Sequence, residues 1–147
     1  MATYTPYWFS KAVVNMAKAK IDLSADTLKL SLHTNAFTPL QTTHEFRSDL
    51  ANEVASGNGY TTGGVALSSL AVSHDAPTKQ MRWDIADPSW TFTASKTWRW
   101  GVISKIRGGA ASADELLCYL DPGADVTASG LYTIQIDTSG LLYGTAS

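Results

Sequence analysis

Several residue types are too scarce in this sequence for it to belong to some common classes of protein. One cysteine, Cys118, occurs in 147 residues, so an internal disulfide framework is excluded. Its setting in the stretch LLCYL predicts a buried and unreactive thiol. The chain also lacks a secretory leader and any apolar run of about 18 residues, the length that a membrane span needs. We therefore expect no membrane partner and synthesis in a cytoplasm.

An excess of charge of one sign is also missing. Eleven basic and 13 acidic side chains give a formal net charge of −2, which offers no basic surface of the kind that phosphate binding needs. Nucleic acid is therefore not an expected partner. The length is that of one domain with a sizeable core. Since the chain shows no internal repeat and no low-complexity tract, we predict a single domain over residues 1–147.

Hydrophobic residues near the N-terminus follow a helical period. This period predicts one amphipathic helix over about residues 7–20, and Pro6 lies just ahead of it, where proline suits a helix start. Such a stripe is more typical of a packing face than of a cofactor site. The residues at helical spacing are Trp8, Phe9, Ala12, Val13 and Met16.

From residue 28 onward the period changes to two. In TLKLSLH, three leucines alternate with polar residues, which is typical of a half-buried antiparallel strand. Segments rich in Val, Ile, Trp, Tyr and Thr predict further strands at about 65–72, 79–85, 89–93, 97–106, 116–120, 131–136 and 141–143. Turn residues separate them, and Asp121-Pro122-Gly123 fits a type II turn. About eight strands predict a mainly β protein, an antiparallel β-sandwich or barrel with one N-terminal helix.

The longest interval without a predicted strand is a polar arm over about residues 35–64. It contains THEFRSDLANEVASGNGYTTGG, with the carboxylates of Glu45, Asp49 and Glu53. A compact domain rarely keeps so long a loop unless the loop has a function. We predict that its charges keep the arm solvated, that its glycines let the backbone turn, and that the arm contacts a partner.

Catalytic and metal-binding interpretations of these residues lack the required patterns. His33, His44 and His74 are the histidines of the chain, and no HExxH motif contains them. The glycine pairs near residues 57–64 lack the lysine and hydroxyl residue of a phosphate-binding loop. The dipeptide His74-Asp75 has no GxSxG motif to accompany it. We therefore predict no catalytic residue, no cofactor and no metal.

Five stretches, in their order along the chain, resemble a family of small structural proteins of tailed bacteriophages. They are AKAKIDLSADTLKLSLHTNAFTP, THEFRSDLANEVASGNGYTTGG, WDIADPSWTFTASKTWRWGVI, LLCYLDPG and YTIQIDTSGLLYG, and the resemblance covers nearly the whole chain. Members of that family resemble capsid cement, or decoration, proteins, which lie on the outside of an icosahedral head.

This resemblance implies a jelly-roll-like β-sandwich, assembly as a homo-oligomer, and synthesis in the bacterial host cytoplasm followed by a place on the capsid exterior of the virion. The implied partners are the major capsid protein of a tailed phage and further copies of the chain. No catalytic residue is transferred. Two alternatives remain open, a tail- or baseplate-associated virion protein and a carbohydrate-binding module that uses exposed tryptophans.

A cement protein needs a rigid sandwich, an oligomeric interface and mobile polar arms that become ordered on contact. We expect the aromatic N-terminus to dock as a flexible segment. Trp98 and Trp100 are expected to share one face with Arg99 opposite, with core packing as the main interpretation and an interface contact as the rival. The candidate interaction residues are Tyr4, Tyr7, Trp8, His44, Glu45, Phe46, Arg47, Asp49, Tyr60, Trp98 and Trp100.

Overall fold

The computed structural model describes residues 3–145, the side chains of residues 143–145 excepted. In this part of the chain the protein is mainly β, with antiparallel strands and one α-helix near the N-terminus, which confirms the predicted fold class. The helix, α1, spans Ser10–Ala17, and short 3-10 helices lie at Arg47–Asp49 and Ala111–Ala113. The strands are β1 (Thr5–Trp8), β2 (Leu28–His33), β3 (Val65–Ala66), β4 (Ala71–Asp75), β5 (Gln80–Asp84), β6 (Ser89–Trp98), β7 (Trp100–Lys105), β8 (Leu116–Asp121), β9 (Val126–Thr133) and β10 (Leu142–Thr145).

The described strands form three sheets in a sandwich-like arrangement. They are a five-stranded sheet in the order β1-β8-β7-β2-β3, a three-stranded sheet in the order β10-β5-β4, and the two-stranded ribbon β6-β9. Aromatic side chains connect these sheets. Trp8 of β1 lies edge-on to Trp83 of β5, with ring centroids 5.6 Å apart, and the Tyr4 hydroxyl is 2.9 Å from that of Tyr132 on β9.

The core draws buried side chains from all three sheets. Leu28, Leu30 and Leu32, which alternate along β2, are all buried, as their spacing predicts. Trp83 of β5 and Trp98 of β6 are also completely buried. Burial of a large apolar side chain stabilises the fold by about 1.5–3 kcal/mol. The buried leucines of β2 therefore make a substantial contribution to the free energy of folding.

The N-terminal segment is a strand, so two predictions about it were wrong. The helix begins at Ser10 instead of residue 7, and the aromatic terminus is not a free flexible segment, because Thr5–Trp8 pairs with β8. The Phe9 N–H continues this pairing by donating to the Leu117 carbonyl at 3.0 Å. Hydrogen-bonded positions recur every second residue, so the Pro6 nitrogen faces the outer edge, where a missing N–H breaks no ladder bond.

The faces of α1 also differ from the prediction. Ala12 and Asn15 are buried, whereas Val13 and Val14 are 52% and 49% exposed. Asn15 was expected on the polar face of the helix. It is buried because its side-chain amide donates a hydrogen bond to the Glu45 carboxylate at 3.2 Å. No helix within residues 3–145 has the length and apolar character to cross a membrane.

Two predicted strands are each divided between sheets. Residues 65–72 form β3 and the start of β4, with Ser69 between them in a left-handed conformation at φ 54°. Residues 97–106 are divided at Arg99, because Trp98 ends β6 and Trp100 begins β7. Trp98 and Trp100 therefore do not share a face of one strand.

Candidate interaction site

The predicted polar arm occupies the interval between β2 and β3, and most of its residues are exposed, as predicted, but three of its apolar residues belong to the core. Phe37, Val54 and Tyr60 are buried in the core. The Val54 N–H also donates to the Leu32 carbonyl at 2.9 Å, which fixes the backbone of the segment beside β2. These apolar residues follow neither a helical nor a strand period, so the sequence pattern shows only the polar residues around them.

The carboxylates of this segment hold its own backbone and the helix. Glu45 accepts a hydrogen bond from Asn15 and forms an ion pair with Lys11 at 3.3 Å. Asp49 accepts the backbone N–H groups of Glu45 and Phe46 at 2.8 and 2.9 Å, which closes the short 3-10 helix. The Asn15 hydrogen bond lowers the pKa of Glu45, and the two backbone hydrogen bonds lower the pKa of Asp49.

Residues 45–47 pair with residues 114–116, just before β8. The Leu116 N–H donates to the Glu45 carbonyl at 2.8 Å, and Phe46 forms a bridge with Glu115. Both Nε and Nη2 of Arg47 lie 2.8 Å from Asp114 Oδ2. The side chain of Asp114 is fully buried, and sequence reasoning missed it because aspartate is rarely buried unless it is paired.

Arg107 completes this network. Its backbone N–H donates to Asp114 Oδ1 at 2.9 Å, and its guanidinium forms two hydrogen bonds with Glu115, at 3.1 and 2.7 Å. The hydrogen bond to Glu115 raises the pKa of Arg107. Two arginines and two carboxylates therefore fix the segment to the five-stranded sheet, so Phe46, Arg47 and Asp49 serve its internal structure.

Tyr60 and Trp98, two of the predicted interaction residues, lie in the interior. The Tyr60 hydroxyl donates to Glu53 at 2.7 Å and accepts the Leu32 N–H at 2.9 Å, and burial raises its pKa. Trp98 is completely buried and its indole N–H donates to the Tyr4 hydroxyl at 3.1 Å. Neither of these side chains is available to a partner.

Four other side chains form a surface cluster, here called the aromatic surface: Tyr7, Arg99, Trp100 and Tyr119. Tyr7 and Tyr119 face each other on β1 and β8 and stack with ring centroids 5.3 Å apart. Trp100 meets Tyr119 edge-on at 5.7 Å. The Arg99 guanidinium lies over the Trp100 ring, 3.9 Å from its centroid, so the prediction that Arg99 lies opposite is wrong.

The aromatic surface has fixed orientations and little net charge. The Trp100 indole N–H donates to the Phe37 carbonyl at 2.8 Å, and Arg99 pairs with Asp121 at 2.6 Å. Phe37 in turn stacks on His44 at 5.7 Å, so the predicted residue His44 contacts the residue that accepts the hydrogen bond of Trp100. Sequence reasoning missed Tyr119, although alternation along β8 places it on the face opposite Cys118 and Leu120.

Several other apolar side chains are exposed. Tyr7 is 40% exposed, and the Leu40 side chain is 51% exposed. The backbone N–H of Ser10, at the start of α1, donates to the Gln41 carbonyl at 2.9 Å, which places Leu40 beside the helix that carries exposed Val13 and Val14.

A buried serine and histidine pair was also missed. His33 Nε2 lies 2.8 Å from Ser31 Oγ, and its Nδ1 lies 2.8 Å from the Ala51 carbonyl oxygen. Burial lowers the pKa of His33, and a neutral ring can accept from Ser31 while donating to Ala51. Both side chains are covered, so the pair holds the segment against β2. Within residues 3–145, no three His, Cys, Asp or Glu side chains are grouped to hold a metal ion.

No family model matches the chain, and neither a curated protein nor a solved structure matches it. Of the predicted interaction residues, Tyr7 and Trp100 lie in the aromatic surface, and His44 stacks on Phe37, which holds Trp100. Trp8 is half-buried and lines a separate groove.

Proposed function

We propose that this protein is a non-enzymatic virion protein of a tailed phage that binds the outside of the capsid and stabilises the shell as a cement protein. The sequence resemblance supports this function. The observation that carries the proposal is the aromatic surface, a partly exposed cluster of tyrosine, tryptophan and arginine on a sheet to which the Arg47–Asp114 ion pair fixes the connecting segment.

The residue types of this surface are those that dominate binding energy in protein interfaces. Tryptophan, tyrosine and arginine are enriched among the few residues whose truncation costs 2 kcal/mol or more, as a rough threshold. Here the hydrogen bond from Trp100 to Phe37 and the ion pair of Arg99 with Asp121 fix the side chains before a partner arrives. Fixed side chains lose less conformational entropy on binding.

A capsid presents many equivalent sites, which makes small gains at each site large in sum. A ligand that binds the assembled shell better than free subunits stabilises assembly by RT ln(1 + [L]/Kd), about 2.7 kcal/mol per site at a hundredfold excess over Kd. Binding as a symmetric homo-oligomer adds avidity without new contacts. The major capsid protein and further copies of this chain are therefore the proposed partners.

The experiment measures the melting temperature of phage heads that lack this protein, before and after saturation with purified protein. We expect an increase with the unaltered protein. Tyr7→Ser should weaken binding roughly 30-fold, the effect of losing about 2 kcal/mol. Leu131→Ser is the matched control, because Leu131 is 73% exposed on β9, outside the aromatic surface, and it should bind like the unaltered protein.

An unchanged melting temperature at saturation would contradict the cement function, and binding to isolated tails would then favour the tail or baseplate alternative. If Leu131→Ser lost binding while Tyr7→Ser retained it, the contact surface would be wrong but the function could stand. Light scattering of the free protein tests self-association separately.

A further inference from the structure

A groove of about 720 Å³ opens beside the free edge of β1. One wall consists of Thr3 to Pro6 and Trp8, and the other of residues 135–140 and Leu142. Successive side chains of a strand point to opposite faces, so Trp8 lines the groove while Tyr7 belongs to the aromatic surface. The groove is therefore a second site with a composition of its own.

The aromatic side chains of the groove are held in place. The Trp8 indole N–H donates to the Leu141 carbonyl at 2.9 Å, and its ring lies edge-on to buried Trp83. The Tyr4 hydroxyl bonds with Tyr132 and Trp98, which leaves the ring of Tyr4 at the groove wall. Rings fixed in this way can receive a flat apolar surface of a ligand without losing side-chain entropy.

The polar side chains of the groove are hydroxyls, one amide and one carboxylate. Asp137 Oδ1 accepts the backbone N–H of Ser139 at 2.8 Å, which leaves Oδ2 for a ligand. The side-chain hydrogen bond from Ser139 lowers the pKa of Asp137, so the group is an acceptor at neutral pH. Gln135 is exposed beside it and offers both a donor and an acceptor. The described lining contains no lysine or arginine, which disfavours phosphate and carboxylate ligands.

The edge of β1 is poorly suited to an added peptide strand. Pro6 has no N–H to donate, and the Trp8 carbonyl already accepts a hydrogen bond from the Gln41 side chain at 2.8 Å. Proline on an edge strand is a common means of preventing strand addition. A ligand that binds through hydroxyl groups does not need these backbone positions.

We propose that the groove binds a neutral oligosaccharide. One sugar ring lies against Trp8, and its hydroxyl groups bond with Gln135 and Asp137. A concave site with fixed aromatic walls and a few convergent polar groups is the usual form of a small-molecule site. On the exterior of a virion, such a site would add glycan binding to the proposed attachment to the capsid, which uses a different surface.

The test titrates the full-length protein with four neutral trisaccharides, built from glucose, galactose, mannose or N-acetylglucosamine, and follows heat and tryptophan fluorescence. We expect at least one of them to bind with a Kd near 1 mM, as a rough value for a weak site of about −4 kcal/mol. Gln135→Ala and Asp137→Asn should each weaken that binding roughly tenfold, the effect of one lost hydrogen bond.

Asp22→Asn is the matched control, because Asp22 forms the same local turn with Ser24, at 2.9 Å to its N–H, outside the groove. This variant should bind like the unaltered protein. The absence of binding by all four sugars at millimolar concentration would overturn the proposal, as would an equal loss in Asp22→Asn. Gln135→Ala should leave the stabilisation of phage heads unchanged, so failure of the glycan site and failure of the cement function give different results.

Discussion

Arg47 and Asp114 form an ion pair between the segment that precedes β3 and the loop just before β8. Two guanidinium nitrogens of Arg47 lie 2.8 Å from the same carboxylate oxygen, and the Asp114 side chain is fully buried. A buried carboxylate is tolerated only where it is paired and hydrogen-bonded. This contact therefore connects the long segment to the five-stranded sheet. The position of the segment depends on the charge of the Asp114 carboxylate.

We expect Asp114→Asn to lower the free energy of unfolding by about 3 kcal/mol, because it removes the charge that compensates buried parts of Arg47 while keeping the size of the side chain. Asp75→Asn is the matched control. Asp75 pairs with Arg82 at 3.1 Å but is 30% exposed, so this substitution should cost at most about 1 kcal/mol. Urea unfolding measures both values, and equal losses would contradict the special role of Asp114.

His33 predicts a loss of stability in mild acid. Burial lowers its pKa in the folded state below the ordinary value of 6.5, although the Ala51 carbonyl and Glu53 oppose the shift. The unfolded chain therefore binds a proton more readily, and stability is fully present above about pH 6.5 and declines as the pH falls below it. Melting temperatures at about pH 7 and pH 5 should differ less for His33→Gln than for the unaltered protein.

The exposed His74 provides the control for this comparison. His74→Gln should retain the acid sensitivity of the unaltered protein. The lowered pKa values of Glu45 and Asp49 affect stability only as the pH falls through their more acidic range, so they do not produce a loss between about pH 7 and pH 5. An unchanged acid response in His33→Gln would contradict the prediction.

Two adjacent glycines should respond differently to alanine. Gly63 and Gly64 have φ values of 93° and 83°, but a Cβ at Gly63 would have open space, whereas one at Gly64 would lie 1.8 Å from the Leu30 carbonyl oxygen. Gly63→Ala should cost about 1–2 kcal/mol through backbone strain alone. Gly64→Ala should cost clearly more, because β2 and the segment before β3 must separate. Equal unfolding midpoints in urea would show that the backbone moves apart without cost.

The thiol of Cys118 should be unreactive until the protein unfolds. Its side chain is completely buried, and burial raises its pKa above the ordinary range. The thiolate is the reactive form, so a thiol-specific reagent should label native protein no faster than the chain opens. Adding urea should increase the labelling rate in step with the loss of folded protein. Rapid stoichiometric labelling without urea would contradict the burial of this residue.

Local patterns in the sequence determined several parts of this structure. The alternation of Leu28, Leu30 and Leu32 predicted β2 and its inward face. The stretch LLCYL predicted the burial of Cys118, and Asp121-Pro122-Gly123 predicted a turn in which Gly123 adopts a positive φ of 85°. Each of these features depends on the preferences of a few neighbouring residues, which the sequence displays directly.

Only the tertiary structure decided which of these elements meet. The sequence pattern predicted that the helix begins at about residue 7, but pairing with β8, far along the chain, makes Thr5–Trp8 a strand. Trp98 and Trp100 are two residues apart, yet the break at Arg99 sends one into the core and leaves the other on the aromatic surface. Burial and partners depend on residues that are distant in sequence, and local periodicity carries no information about those distances.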